Sequence, residues 1–354
     1  MEARALVVSP PTATGPVALT ARARPTAAPR PHEAVIAVAY GGICGSDLHY
    51  WKDGQIGESV LRSPMVLGHE VVGVVAEPAG DGSGPPRGSR VAVHPAQVCG
   101  TCGFCLRGDE HLCADLRYLG SAARTPHTDG GFADRLNVPV GRLVPIPDGL
   151  DLKTAALAEP ASVALHGLHR VHELNRGIRG SDILVVGAGP IGLLSVAMSA
   201  AEGAERITAT DVFDRPLLLA VRTGATDVVL AGAGARVPPA DIAIESSGTP
   251  QGLATALGAL RPGGVLVNVG HLPPTGVTAP LHLAVPRELI LMGSSRFYHE
   301  MPSALAIMRR DVERFAPIVT SVFPLDEAEP AFHEAAAAER SSKVLLSFPA
   351  AGTS

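Results

Sequence analysis

The chain has 354 residues, 46% of them hydrophobic and 18% charged, so it holds enough apolar material for packed cores and too little charge for global disorder. At roughly 150 residues per domain, this length corresponds to about two domains. Lys and Arg number 29 against 34 Asp and Glu, a formal net charge of -5, which argues against a surface built for nucleic-acid phosphates.

The opening MEARALVVSPPTATG has no cationic start leading into a long apolar run, so no secretory signal is expected and the reading is a cytoplasmic protein. Short Val/Ile-rich runs then alternate with Gly/Pro turns, in AVIAVAYGG, VVGVVAEPAGDGSGPP and SRVAVHPA, and these read as strands of an irregular β domain. From about Asp151 the texture changes. Helical patterns alternate with buried-strand runs, DILVVGAG, RITATD, DVVLAG, DIAIESSG and GVLVNVG, which implies right-handed crossovers and a parallel sheet. The stretch from about Arg296 to Ser354 returns to mixed texture and is expected to rejoin the first domain. The apolar run Ile183 to Ala201 has the length of a membrane crossing. Three glycines and Pro190 interrupt it, and a buried strand, a turn and a buried helix account for it better.

Five cysteines in a chain without an export signal disfavour a disulfide framework and favour thiolate or metal chemistry. Four of them, Cys99, Cys102, Cys105 and Cys113, stand in CGTCGFCLRGDEHLC at a spacing that lets one loop wrap its sulfurs around a single point. A closed tetrahedral zinc site needs that arrangement, and with no open position its role is structural. An iron–sulfur cluster or incidental thiols are the alternatives.

Gly187, Gly189 and Gly192 form G-x-G-x-x-G directly after an apolar strand and at the start of an apolar helix, with Pro190 in the first turn. The first glycine permits a tight turn, the second lets the backbone approach a pyrophosphate, and the third allows close helix–strand packing. The next predicted strand ends in Asp211, where a carboxylate can accept from an adenosine ribose diol. That favours NAD over NADP unless Arg215 pairs with a 2′-phosphate. Gly270, at the end of GVLVNVG, joins the cofactor-binding set.

Cys44, His69, Glu70 and Glu159 offer a thiolate, an imidazole and carboxylates, a borderline-soft donor set for zinc that leaves one position for water or an alcohol. By spacing alone the same residues also read as a core thiol, a satisfied histidine and solvated acids.

GGICGSDLHYW, VLGHEVVGVV, the four-cysteine lobe, AEPASVALHG and GAGPIG, in that order and spread over essentially the whole chain, resemble the zinc-dependent medium-chain alcohol dehydrogenases, and within them the polyol dehydrogenase branch. HLCADLRYLGSAARTPHTDGGFA and LMGSSRFYHE are most similar to the members that oxidise L-idonate, with those that oxidise sorbitol close behind. The resemblance implies an α/β chain: a GroES-like β catalytic domain over residues 1–154 and 296–354, and a Rossmann doubly wound parallel sheet domain over 155–295. It implies two zincs, an active site in the cleft between the domains, and a dimer or tetramer of like chains. Cys44 and His69 would bind the catalytic zinc, supported by Glu70. Glu159 stands where other members of the family carry a second cysteine, which leaves open which glutamate coordinates. Ser46 matches the hydroxyl that takes the alcohol proton, His49 would pass it onward, and Arg296 matches an arginine reaching nicotinamide and substrate. Tyr50 and Tyr118 are candidates for the pocket wall or for packing. The resulting expectation is an NAD-preferring oxidation of a secondary hydroxyl in a sugar acid or polyol, against the alternative of a non-catalytic nucleotide-binding protein of the same fold.

Overall fold

The computed structural model describes residues 2–11, 16–232 and 234–349. Its contacts divide the chain into one unit of Met1–Glu159, Val319–Ala337 and Lys343–Ser354, and a second of Pro160–Ile318 and Ala338–Ser342. The chain thus re-enters the first unit at Val319, later than the residue 296 expected from texture, because the helices Met301–Arg310 and Val312–Phe315 belong to the second unit.

The first unit is built on a seven-stranded sheet in the order Leu143–Pro145, Arg90–Val93, Glu70–Glu77, Glu33–Gly42, Lys343–Ser347, Val319–Pro324, with Arg135–Pro139 also paired to Glu33–Gly42. All its pairings are antiparallel except that of the last two strands in this order. Alternating Ile36, Val38, Val71, Val75, Val344 and Leu346 face one core, closed by Phe132 and Phe332, as period-2 strands with one buried face require. The C-terminal strand inserts beside the first long one, with Leu345 opposite Gly42. Residues more than 300 positions apart in the chain are thereby brought to one place.

The second unit carries a six-stranded parallel sheet in the order Asp227–Leu230, Arg206–Asp211, Asp182–Val186, Ala240–Glu245, Leu260–Asn268, Ile290–Gly293. In chain order this is third, second, first, fourth, fifth, sixth, the arrangement of a doubly wound dinucleotide-binding sheet. Its switch point lies between Asp182–Val186 and Ala240–Glu245, where such folds place ligands at the carboxyl ends of the strands. The apolar run at 183–201 is a buried strand, a glycine turn and the helix Pro190–Glu202. Among the described residues no helix is long and apolar enough to cross a membrane.

Candidate active site

In the first unit, one donor atom from each of Cys44, His69 and Glu70 lies within 4.8 Å of the others. Cys44 has extended backbone (φ -103°, ψ 161°) and caps the helix Gly45–Asp53. The Asp47 carboxylate accepts from the Cys44 N–H at 3.0 Å, satisfying a donor at the helix start. His69 follows Gly68, whose φ of +95° suits glycine and whose Cβ would stand 2.1 Å from the Phe132 ring. Glu70 is fully buried and opens the strand Glu70–Glu77. Both its oxygens accept from the Lys343 ammonium, at 2.6 and 2.7 Å, and Lys343 also donates to the Ile43 carbonyl at 3.1 Å.

Glu159 is buried beside this group but is not one of the three residues whose donor atoms converge. Its carboxylate accepts from the Tyr118 hydroxyl at 2.7 Å, and the Tyr118 ring lies 5.7 Å from the His69 ring. Burial, reinforced by the nearby Glu70 charge, raises the Glu159 pKa. Burial alone would lower His69, but the Cys44 sulfur and the Asp47 and Glu159 carboxylates outweigh it and hold His69 well above the ordinary histidine value. A thiol and three carboxyl groups are thus gathered around one buried imidazole. A sulfur, a nitrogen and a carboxylate oxygen so placed fit zinc in its catalytic form, with three protein donors and room for a fourth ligand.

Ser46 is half-buried in the first turn of the capped helix, while His49 is exposed with Nδ1 3.1 Å from Asp53. Tyr50 packs in the core: it is 2% exposed and its hydroxyl accepts from the Ala122 N–H at 2.9 Å. Tyr50 stands three positions after buried Asp47, on the same face of the helix.

The four lobe cysteines converge without forming a disulfide. Their sulfurs lie 3.5 Å apart for Cys102–Cys105 and for Cys99–Cys113, 3.9 Å for Cys99–Cys105 and 4.0 Å for Cys102–Cys113. A tetrahedron with Zn–S bonds of about 2.3 Å has edges of about 3.8 Å, so the arrangement fits a closed four-sulfur zinc site. Backbone N–H groups of Thr101 and Cys102 draw the Cys99 thiol down to about 6, whereas burial pushes Cys105 up to about 12, so a metal held by all four sulfurs has to displace thiol protons.

In the second unit, Gly187 adopts φ +89°, and a Cβ there would stand 2.8 Å from the Ser247 nitrogen. A Cβ on Gly192 would stand 1.8 Å from the Gly187 carbonyl oxygen, so helix and strand approach as only glycine allows. Nothing lies within 4 Å of the space a Gly189 Cβ would take, which leaves the cap of the helix Pro190–Glu202 open to an anion. Asp211 ends its strand and accepts from the Ala188 N–H at 2.7 Å and the Phe213 N–H at 3.0 Å. Arg215 is exposed on the next helix. Gly270 is held close, since its Cβ would stand 2.5 Å from both the Glu245 carboxylate and the Gly248 nitrogen. Arg296 sits in the second unit with left-handed backbone (φ 57°). Just beyond it, buried Glu300 accepts from the Tyr298 and His299 N–H groups at 3.0 and 3.1 Å and lies 2.8 Å from His166 Nδ1.

Sequence reading missed Asp47, Lys343, Glu245 and Glu300, all buried charged groups. Only Asp47 carried a local signal, the acid three residues after a helix cap.

Residues 30–148 match the alcohol dehydrogenase GroES-like domain, and residues 190–310 match the zinc-binding dehydrogenase domain. The chain is 36% identical over 323 residues to L-idonate 5-dehydrogenase (NAD(P)(+)) of Escherichia coli, covering 89% of this chain and 91% of that one. It is 35% identical over 318 residues to a probable D-xylulose reductase A of Aspergillus clavatus, covering 86% of each. The crystal structure of the Escherichia coli L-idonate 5-dehydrogenase superposes with a TM-score of 0.89 at 33% identity, over 98% of this chain and 99% of that one. The chain belongs to the polyol dehydrogenase branch of the zinc-dependent medium-chain alcohol dehydrogenases and is an NAD(P)-dependent oxidoreductase.

Proposed function

We propose that this enzyme oxidises a secondary hydroxyl of a sugar acid with NAD, and that its substrate is L-idonate, converted to 5-keto-D-gluconate. The observation that carries the reading is the convergence of half-buried Cys44 with buried His69 and Glu70, joined to the similarity to an L-idonate 5-dehydrogenase along most of both chains. Under this reading the first unit is the catalytic domain and the second binds the nucleotide. Cys44, His69 and Glu70 would hold the catalytic zinc, with Glu159 beside them, and the four lobe cysteines would hold a second, structural ion. When bound, zinc supplies Lewis-acid polarisation of a substrate oxygen and NAD supplies the hydride acceptor.

The remaining work falls to the chain. Ser46 takes the proton of the substrate hydroxyl, and exposed His49, already paired with Asp53, passes it to solvent. Tyr118 holds the Glu159 carboxylate, fixing a charged wall of the site. The turn at Gly187, Gly189, Pro190 and Gly192 receives the pyrophosphate, Gly270, packed against Glu245 and Gly248, lines the cofactor site, and Asp211 receives the ribose diol. A carboxylate at that position disfavours a 2′-phosphate, hence NAD over NADP, with Arg215 the side chain able to offset it. Arg296 orients the nicotinamide end and the carboxylate of a sugar-acid substrate. The assembly is a dimer or tetramer of this chain, and its location is the cytoplasm.

The similarity to a D-xylulose reductase favours one second reading, a polyol dehydrogenase acting on sorbitol or xylitol. NADH formation over L-idonate, D-gluconate, sorbitol, xylitol and butanediol separates the two. Turnover of L-idonate well above the polyols is expected, and turnover of sorbitol with none of L-idonate would defeat the first choice.

A further inference from the structure

Lys343 is the least expected side chain at the site. It lies 273 positions from Glu70, at the start of the strand Lys343–Ser347, and it is 2% exposed. An ammonium has three N–H donors, and three contacts take them up: both Glu70 oxygens and the Ile43 carbonyl. No donor is left for a substrate, so Lys343 does not act on one directly. The position is built. The Ile43 N–H donates to the Val344 carbonyl at 3.0 Å, locking the strand to the loop before Cys44. A Cβ at Gly42 would stand 2.0 Å from Glu70 Oε2, so the carboxylate is pressed against the neighbouring strand and cannot swing away there.

A buried ammonium costs several kcal/mol to desolvate, and a neutral amide or hydroxyl could orient a carboxylate as well. The full charge therefore calls for a reason beyond orientation. Cys44 and Glu70 as anions would together offset the charge of a divalent ion held between them, and the carboxyl groups of Asp47, on the Cys44 N–H, and Glu159, on Tyr118, stand close by. A cation in contact with both Glu70 oxygens returns one positive charge to the centre and competes for the carboxylate lone pairs. The geometry points to Lys343 as a positioning residue that pairs with Glu70, competes with the metal for its oxygens and offsets one of the negative charges gathered at the metal centre.

This assignment rests on the proposed zinc at Cys44, His69 and Glu70, and its test separates the two claims. Zinc affinity is measured by chelator competition on the full-length wild type, Cys44→Ser, Lys343→Met, Lys343→Gln and Lys343→Arg, following the ion that Cys44→Ser removes. If the charge matters, removing it tightens that zinc by about tenfold, opposite in sign to the usual loss when a supporting residue of a metal site is removed. Lys343→Gln, which keeps a hydrogen-bond donor, behaves like Lys343→Met, and Lys343→Arg stays within about twofold of wild type. If Lys343→Met does not fold, Lys343→Gln carries the comparison. Weaker or unchanged zinc binding in the neutral variants would overturn the role of Lys343 alone. A wild-type protein with no zinc sensitive to Cys44→Ser would overturn the proposed metal centre itself.

Discussion

The Asp47 carboxylate accepts a hydrogen bond from the Gly68 N–H at 3.1 Å, and its other oxygen accepts from the Cys44 N–H at 3.0 Å. One buried side chain thus joins the helix cap that presents Cys44 to the turn that presents His69. Burial raises its pKa, opposed by His69 and by these two N–H donors.

Replacing Asp47 with Ala leaves both N–H groups without their acceptor, each worth about 1–3 kcal/mol when buried and unpaired. Asp47→Ala is expected to unfold at lower denaturant and to bind zinc about 10- to 100-fold more weakly. Asp47→Asn, which keeps one acceptor oxygen, should fall between. Equal stability and zinc content in all three proteins would show that Asp47 holds nothing together.

Gly192→Ala would place a methyl group 1.8 Å from the Gly187 carbonyl, so the glycine turn has to move. We expect NAD affinity to fall at least about tenfold while zinc content is unchanged. Calorimetric titration with NAD and metal analysis of the same sample decide this, and wild-type affinity in the variant would contradict the pyrophosphate assignment.

Asp211→Ala removes both the carboxylate proposed for the ribose diol and the acceptor of the Ala188 N–H. The ratio of kcat/KM with NAD to that with NADP should drop about tenfold or more, since one hydrogen bond from a charged group contributes about 1.5–3 kcal/mol. An unchanged ratio would remove Asp211 from cofactor selection.

Glu300 gives a pH signature. Burial alone would raise its pKa, but His166, His169 and the Tyr298 N–H outweigh this and hold the carboxyl well below the ordinary 4.5. The contact with Glu300 in turn raises His169 above its ordinary 6.5. A depressed acid stabilises the fold above its unfolded pKa and loses that contribution as pH falls through the lower folded value. A raised histidine stabilises below its unfolded pKa and loses that contribution as pH rises through the higher folded value. The pair therefore contributes most between the two ordinary values, 4.5 and 6.5. The Tm difference between wild type and Glu300→Gln should be largest in that window and shrink toward pH 9; a difference flat with pH would contradict the pairing.

The parts of the site that sequence made legible are those whose geometry is local. The G-x-G-x-x-G turn and the four-cysteine loop each place their groups within a short span, so spacing alone predicts convergence, and the sulfur distances match it. Cys44, His69 and Glu159 are chemically suited to a metal, but which of them meet depends on sheet register. Convergence of Cys44 with His69 and Glu70, leaving Glu159 on Tyr118, follows from strand pairing that no local pattern encodes. Lys343 was beyond reach for the same reason: nothing in SSKVLLS announces that this strand ends against Glu70. Tyr50 shows the converse, a residue within a functional motif whose side chain turns into the core.

Zinc counted per chain in wild type and in Cys44→Ser tests the metal centre most directly. Wild type should hold about two ions, and the variant about one, retained by the four-cysteine lobe, with turnover abolished and the fold intact. A Cys44→Ser protein that keeps both ions and oxidises substrate at the wild-type rate would place the chemistry elsewhere.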